Sequence, residues 1–115
     1  TFIGWDQAPS GMEGDAGQMF GPVKAAVMAF ANSLAQEVAP AIRVNTIAPG
    51  WIKTAWGEST NPYWDGRARR QSLARRWGKP IDVARAVCYV ADPENTFCYG
   101  QCIEANGGWS RTHPG

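Results

Sequence analysis

The residues with the clearest chemical potential are Phe20 and Lys24, in the stretch MFGPVK. Residues four positions apart lie on the same face of an α-helix, so the ring and the ammonium group are expected to be neighbours. A tyrosine in place of Phe20 would make the pair an acid-base catalyst, but phenylalanine has no proton to give. The pair therefore predicts either an enzyme that has lost its acid or another protein built on an enzyme's frame.

A long helix over Phe20 to Val38 is predicted to carry this pair. Apolar side chains recur there at helical spacing and predict one apolar stripe, formed by Val23, Val27, Phe30, Leu34 and Val38. A second face of small residues would let another helix approach closely; it consists of Ala25, Ala29 and Ser33. The helix is predicted to end at Pro40.

Pro22 is expected to mark the beginning of this helix, because proline is tolerated in the first helical turn but not deep inside. The helix would then begin near Met19 to Gly21, with Phe20 in the first turn or just outside it. The preceding segment, Asp6 to Gln18, is rich in glycine, proline and acidic residues and is predicted to be a loop.

The remaining elements alternate between strands and helices. Predicted strands cover Thr1 to Trp5, Ile42 to Ala48 and Tyr99 to Ala105, and predicted helices cover Arg67 to Trp77 and Val83 to Ala91. The order β-α-β-α-α-β is typical of parallel strands in an α/β sheet. A long loop from Trp51 to Gly66 contains Trp56, Gly57, Tyr63 and Trp64, and such aromatic loops are often lids over binding sites.

Composition limits the protein to a few classes. The chain has 115 residues, 44% of them hydrophobic, with a net charge of +1, which fits one domain or half of a larger one. No apolar run is long enough to span a bilayer and no secretory signal is visible, so a cytoplasmic location without membrane contact is expected. The chain begins at Thr1 with an immediate strand pattern, which suggests a fragment of a longer fold.

Neither a metal site nor nucleic-acid binding is expected. Cys88, Cys98 and Cys102 are interpreted as buried free thiols, the last two on one face of the final strand but too far apart to bridge. The only histidine, His113, lies in the tail. A basic cluster is interpreted as a solvated helix face because the overall charge is balanced; its members are Arg67, Arg69, Arg70, Arg75, Arg76 and Lys79.

Four segments together resemble the C-terminal half of the short-chain dehydrogenase/reductase family, in its 3-oxoacyl-(acyl carrier protein) reductase-like branch. In order, they are the Phe20-x-x-x-Lys24 pair, IRVNTIAPGWIKT, RWGKPIDVARAVCYVAD and YGQCIEANGGW. The resemblance covers Phe2 to Trp109. It implies that residues 1–115 form the C-terminal part of a single doubly wound Rossmann-like domain, with the fifth strand at Thr1 to Trp5 and the seventh at Tyr99 to Ala105.

The resemblance also implies roles for individual residues. In the family a Tyr-x-x-x-Lys pair transfers the substrate proton, and the lysine both lowers the pKa of the phenol and holds the nicotinamide ribose. Lys24 matches this pattern, whereas Phe20 stands at the position of the tyrosine. The polarising serine of the family falls on Gln7 when counted back from Phe20, with Trp5 or Asp6 as alternatives if the spacing differs. Tyr63 is a further candidate for a substitute acid.

A turn at Pro49, Gly50, Ile52 and Thr54 matches the segment that packs on the nicotinamide in this family. No glycine-rich phosphate turn follows a strand in this sequence. The turn predicts that NAD or NADP binds to a full-length protein. Because the phosphate turn is lacking, no cofactor is expected for this chain alone. The four turn residues could equally serve fold retention.

Two functions remain open from the sequence. The first is a scaffold of the oxidoreductase family that is weak or inactive as a carbonyl reductase. The second is an active NAD(P)-dependent oxidoreductase with an altered proton donor, acting on a small carbonyl substrate or a substrate on an acyl carrier. In either case we expect a homo-oligomer formed through the helix over residues 20–38 and the last strand. Without the N-terminal half, the isolated chain is expected to be marginally folded.

Overall fold

The computed structural model describes residues 1–54 and 62–109. Six elements follow one another along the described chain: β1 (Phe2–Ile3), α1 (Gly14–Val38), β2 (Thr46–Pro49), α2 (Pro62–Gln71), α3 (Pro80–Ala91) and β3 (Cys102–Ala105). The predicted order β-α-β-α-α-β is confirmed. The strands form one parallel sheet in the order β1-β2-β3, as expected for an α/β fold. Ile47, in the central strand, is completely buried.

All three strands are shorter than the sequence suggests, mainly at their beginnings. β1 covers two residues of the predicted Thr1 to Trp5, β2 begins at Thr46 rather than at Ile42, and β3 begins at Cys102 rather than at Tyr99. The side chain of Asn45 explains part of this difference. Its Nδ2 donates to the carbonyl of Cys98 (2.9 Å) and its Oδ1 accepts from the backbone N–H of Gln101 (3.0 Å). These side-chain bonds occur just before β2 and β3, alongside a backbone bond from Gly100 to Val44 (2.9 Å).

The predicted start of the long helix is wrong. α1 begins at Gly14 and runs without interruption through Pro22, so part of the predicted loop Asp6 to Gln18 is helical and Phe20 lies well inside the helix. Pro22 is exposed, and its ring therefore meets no packed neighbour on the core side. A proline in a helix removes one backbone hydrogen bond, and α1, with 25 residues, continues on both sides of that loss.

α1 packs on the sheet through small residues together with the last part of the predicted apolar stripe. Ala31 and Ala35 are buried against Val44, with Leu34 and Val38 of the stripe beside them. Two other members of the stripe are exposed: Val23 retains 61% of its accessible surface and Phe30 retains 58%. Helix and sheet approach closely at Gly4, just after β1, where a Cβ would stand 2.6 Å from Cγ of Met28 on the helix.

The second half of the chain also differs from the expected boundaries. α2 begins at Pro62, inside the predicted loop, whereas Trp56 and Gly57 of that loop lie outside the described residues. The helix predicted over Arg67 to Trp77 ends at Gln71, because the next backbone donors bond elsewhere: Leu73 donates to Gly108 (3.0 Å) and Ala74 donates to Gly107 (2.9 Å).

α3 begins at Pro80, three residues before the predicted start. Proline suits the first helical turn, and the Asp82 carboxylate accepts the backbone N–H of Lys79 at 2.8 Å. Asp82 also accepts from Arg76 (2.9 Å), and these two donors, the arginine first, lower its pKa to about 2.

The cysteines are free, but their predicted burial is wrong. Cys88 and Cys102 are exposed and Cys98 is half-buried. Cys98 precedes β3, so it does not share a strand face with Cys102. Among the described residues, no helix is long and apolar enough to cross a membrane, and no three potential ligands gather into a metal-binding group.

Candidate functional site

A cavity of about 900 Å³ lies at the carboxyl ends of β1 and β2. Its wall continues onto α1 and onto the beginning of α3, where Pro80 and Val83 contribute. In open parallel α/β sheets, ligands bind in the crevice beyond the carboxyl ends of the strands. The position of the cavity therefore makes it the candidate functional site of this chain.

The pair Phe20 and Lys24 lies on the wall of this cavity. Both residues belong to the continuous α1, and Lys24 Nζ is 5.6 Å from the centroid of the Phe20 ring, a cation-π contact. The ammonium group also donates a hydrogen bond to the carbonyl of Ile3 (3.1 Å). The Phe20 ring packs edge-on against Trp5 at 5.1 Å between centroids. A ring and a backbone carbonyl thus hold the lysine in place without a phenol.

The predicted turn after β2 forms the opposite wall. Pro49, Gly50, Ile52 and Thr54 all line the cavity. The backbone fixes this turn on two sides. Gly50 donates to Ala105 of β3 (3.2 Å), and an isolated bridge joins Ile52 to Gly78. Six predicted residues from α1 and the turn are thereby brought to one cavity.

Gln7 does not join them. It is 2% exposed, and its Nε2 donates to Oδ2 of the neighbouring Asp6 at 3.2 Å. Of the two alternatives considered for the polarising serine, Trp5 lines the cavity, but its indole carries no hydroxyl. Tyr63 also lies apart from the described cavity wall; its exposed ring packs against Trp64 at 4.8 Å.

Asp6 forms a buried polar junction where the three strands end. Its backbone N–H donates to Pro49 of the β2 end (3.2 Å), and its Oδ2 accepts from Asn106 after β3 (3.1 Å) as well as from Gln7. Burial raises the pKa of Asp6 to about 6, against the lowering effect of these hydrogen bonds. Gly50 is required beside this junction, because a Cβ there would stand 2.6 Å from Cβ of Asn106.

The predicted aromatic loop from Trp51 to Gly66 contributes two residues to a tryptophan wall beside the turn, whereas the contributions of Trp77 and Trp109 were not foreseen. Trp51 is its centre: the ring stacks on Trp64 (5.5 Å), meets Trp77 edge-on (5.6 Å) and is tilted against Trp109 (5.7 Å). Trp51, Trp64 and Trp77 line the cavity. Outside that loop, the only signal in the sequence was the number of tryptophans, six in 115 residues.

Two arginines of the predicted basic cluster, Arg67 and Arg69, help to hold the tryptophan wall in place. Arg67, expected on a solvated face, is buried; it pairs with Glu13, donates to Gln71 (2.6 Å) and lies over the rings of Trp64 and Trp109. Asp65 accepts from the indole of Trp77 (2.8 Å) and from Arg69 (3.1 Å). The hydrogen bond from Arg69 is the main cause of the lowered pKa of Asp65.

The parallel sheet, the helices beside it and the cavity beyond the strand ends define the class of protein: an α/β fold of the Rossmann type. A model of the enoyl-(acyl carrier protein) reductase family matches residues 5–110. The chain belongs to the short-chain dehydrogenase/reductase family.

Individual relatives agree with this assignment. The chain is 38% identical over 100 residues to 3-oxoacyl-(acyl carrier protein) reductase FabG of Vibrio cholerae serotype O1, covering 85% of this chain and 41% of the relative. A short-chain dehydrogenase/reductase from Brucella melitensis superimposes with a TM-score of 0.81 at 28% identity, over 92% of this chain and 42% of that one. A 7α-hydroxysteroid dehydrogenase complexed with NADH and 7-oxo glycochenodeoxycholic acid superimposes with a TM-score of 0.83 at 25% identity, over 96% of this chain and 44% of that one. The chain thus spans about two fifths of the length of its relatives.

Proposed function

We propose that this chain forms the C-terminal half of a short-chain dehydrogenase/reductase-like protein that binds NAD or NADP but is weak or inactive as a carbonyl reductase. One observation carries the proposal. Lys24, Phe20 and the Pro49 to Thr54 turn line one cavity, and the family resemblance puts Phe20 where the family's tyrosine donates its proton. A developing alkoxide needs a proton in the transition state, and losing a general acid costs a factor of about 10² to 10⁴ in rate.

The cavity suits the nicotinamide end of a dinucleotide. Lys24 would hold the ribose, and the turn from Pro49 to Thr54 would pack on the nicotinamide ring. The cofactor, when bound, supplies or accepts a hydride. The resemblance assigns the phosphate turn to the N-terminal half of the family fold. One structural relative is complexed with NADH, which supports a cofactor of this class.

Binding without turnover tests the proposal. The full-length protein is titrated with NADH and with NADPH, and nicotinamide fluorescence reports binding. The same samples then receive acetoacetyl-type ketones, and loss of nicotinamide absorbance reports turnover. We expect saturable binding of at least one cofactor and no oxidation above the uncatalysed rate. Lys24→Met should weaken binding, whereas Phe97→Ala, at an exposed residue outside the cavity wall, should leave it unchanged. The proposal would be contradicted if the protein bound neither NADH nor NADPH.

An active reductase with an altered proton donor is the second candidate, and one observation favours it. The carboxyl groups of Glu13 and Asp15 line the same cavity as Lys24. Glu13 pairs with Arg67, so Asp15 is the better candidate for a substitute acid. If this function is correct, the unmodified protein oxidises NAD(P)H with a ketone, and Asp15→Asn removes that activity while cofactor binding remains.

We also propose a homo-oligomer, in the cytoplasm, with α1 and the last strand β3 as contacts. Large apolar side chains on the outer face of α1 support this: Met19 is 74% exposed, besides Val23 and Phe30. Sedimentation of the full-length protein should show a species larger than a monomer, and Val23→Glu should dissociate it. A monomer at high concentration would contradict this part of the proposal.

A further inference from the structure

The cavity has a composition that selects among ligands. Its apolar wall is dominated by flat rings: Trp5 and Phe20 on the α1 side and Trp51, Trp64 and Trp77 opposite. Aromatic rings prefer offset-stacked or edge-on contacts with other rings. A wall of this kind favours a flat or ring-bearing molecule over a flexible open chain, which must give up rotational freedom to lie against it.

The tryptophan wall is fixed before any ligand arrives. Trp77 donates its indole N–H to Asp65 at 2.8 Å, and Trp51 stacks on Trp64 with 30° between the ring planes. Arg67 lies 5.6 Å from the centroid of Trp64 and is itself held by Glu13. Rings held in this way lose little conformational freedom when a ligand binds, so the fixed shape of the wall favours ligands that match it.

The charges around the cavity argue against an anionic substrate beside the cofactor. Among the described residues, Lys24 is the single cation on the wall, and Glu13 and Asp15 line it as carboxylates. Nearby cations are engaged: Arg67 pairs with Glu13, and Lys53 lies 5.0 Å over the Trp77 ring and 3.8 Å from Asp65. Under the proposed function, Lys24 is taken by the cofactor ribose. A carboxylate or phosphate on the substrate would then meet the like charge of Asp15 and, on the described part of the wall, no cation that is not already engaged.

We infer that the ligand accepted beside the cofactor is an uncharged, ring-bearing ketone or alcohol rather than an open-chain acyl thioester. The inference rests on the proposed function only for the occupation of Lys24 by the cofactor. A volume of about 900 Å³ is within the range of pockets that hold drug-sized ligands, so a nicotinamide end and a small ring system fit together.

Three probes test the inference with the full-length protein and saturating NADPH or NADH, whichever binds. They are 1-tetralone, a tetralone bearing a carboxylate, and the open-chain thioester acetoacetyl-N-acetylcysteamine. Calorimetric titration is expected to give a dissociation constant for 1-tetralone at least tenfold lower than for either of the others. Equal or tighter binding of the thioester would overturn the inference, and so would the absence of tetralone binding.

Variants assign the selectivity to the wall. Trp64→Leu should weaken tetralone binding at least fivefold and leave thioester binding unchanged, whereas Trp64→Phe should restore most of the loss. Phe97→Ala is the matched control, because Phe97 is 97% exposed and lies outside the cavity wall. If Trp64→Leu does not fold, Asp15→Asn replaces it and should improve binding of the carboxylated tetralone. An unchanged ratio between probes in Trp64→Leu, or in Asp15→Asn where it replaces Trp64→Leu, would overturn the inference.

The outcomes separate this inference from the proposed function. Rapid turnover of any ketone would refute the lost acid but leave the ligand preference intact. Cofactor binding together with a preference for the thioester would support the proposed function and reject the ring-bearing ligand.

Discussion

The two walls of the cavity differ in how their properties are built. On the α1 wall, Phe20 and Lys24 keep the spacing of a catalytic pair, yet the acid depends on one oxygen atom that phenylalanine lacks. On the opposite wall, the turn at Pro49 to Thr54 is fixed by backbone bonds to Ala105 and Gly78. The comparison teaches that a property carried by one side-chain atom can change without moving the frame, whereas a surface fixed by backbone bonds is lost only when the fold is lost.

The largest effect is expected where the turn meets the strand ends. Gly50→Ala places a Cβ 2.9 Å from Cα of Asn106, a backbone atom that cannot move alone. We expect a loss of about 3 kcal/mol in the free energy of unfolding, measured by urea denaturation.

The matched control is another Gly→Ala change. In Gly66→Ala the new Cβ meets only the flexible guanidinium of Arg70, at 2.8 Å, within a helix. Alanine is favoured over glycine there by up to about 1 kcal/mol, so this variant should be neutral or stabilised. Equal losses in both variants would show that the Gly50 contact does not matter.

The buried junction beneath the turn should be visible in the dependence of stability on pH. The pKa of Asp6 is raised to about 6 from 3.8, so the folded state keeps a proton that the unfolded state releases. Its contribution to stability is therefore complete below pH 3.8 and falls until about pH 6. Asp6→Asn should remove this fall, worth about 3 kcal/mol, in denaturation series across that pH range.

Asp82→Asn provides a control of opposite sign. The pKa of Asp82 is lowered to about 2, so its contribution is present above 3.8 and is lost as the pH falls towards 2. Asp82→Asn should therefore reduce the loss of stability below pH 3.8 and leave the pH dependence of stability above 3.8 unchanged. A profile of Asp6→Asn that parallels the unmodified protein between pH 4 and 6 would contradict the assigned burial of Asp6.

A smaller effect is expected behind the tryptophan wall. Arg67→Met keeps the apolar stem but loses the ion pair to Glu13 and the bond to Gln71, at a cost of about 1.5 kcal/mol. Arg69→Met is the control, because its pair with Asp65 is exposed and of the i,i+4 kind, worth about 0.3–0.5 kcal/mol. Thermal denaturation with tryptophan fluorescence would report both; a greater loss in Arg69→Met would refute the supporting role of Arg67.

Much of the architecture was predictable because periodicity and element order survive in the sequence. The order of strands and helices, the parallel sheet and the gathering of Lys24 with the turn all followed from patterns and from the family resemblance. What failed were features that depend on neighbours distant in sequence. Pro22 continues a helix that packing holds together, Arg67 becomes buried because Glu13 faces it, and Gln7 turns towards Asp6 rather than towards the cavity. None of these contacts can be recognised from the residues that lie nearby in the sequence.

The most direct test of the proposed loss of the proton donor follows NAD(P)H oxidation with acetoacetyl-type ketones and with 1-tetralone. The unmodified full-length protein, Phe20→Tyr and Phe20→Leu are compared at equal cofactor saturation. We predict no turnover above background for the unmodified protein and for Phe20→Leu. Phe20→Tyr should gain less than about tenfold, because Gln7 is buried away from the cavity and catalytic groups that act as a unit do not recover singly. Robust turnover by the unmodified protein would contradict the account.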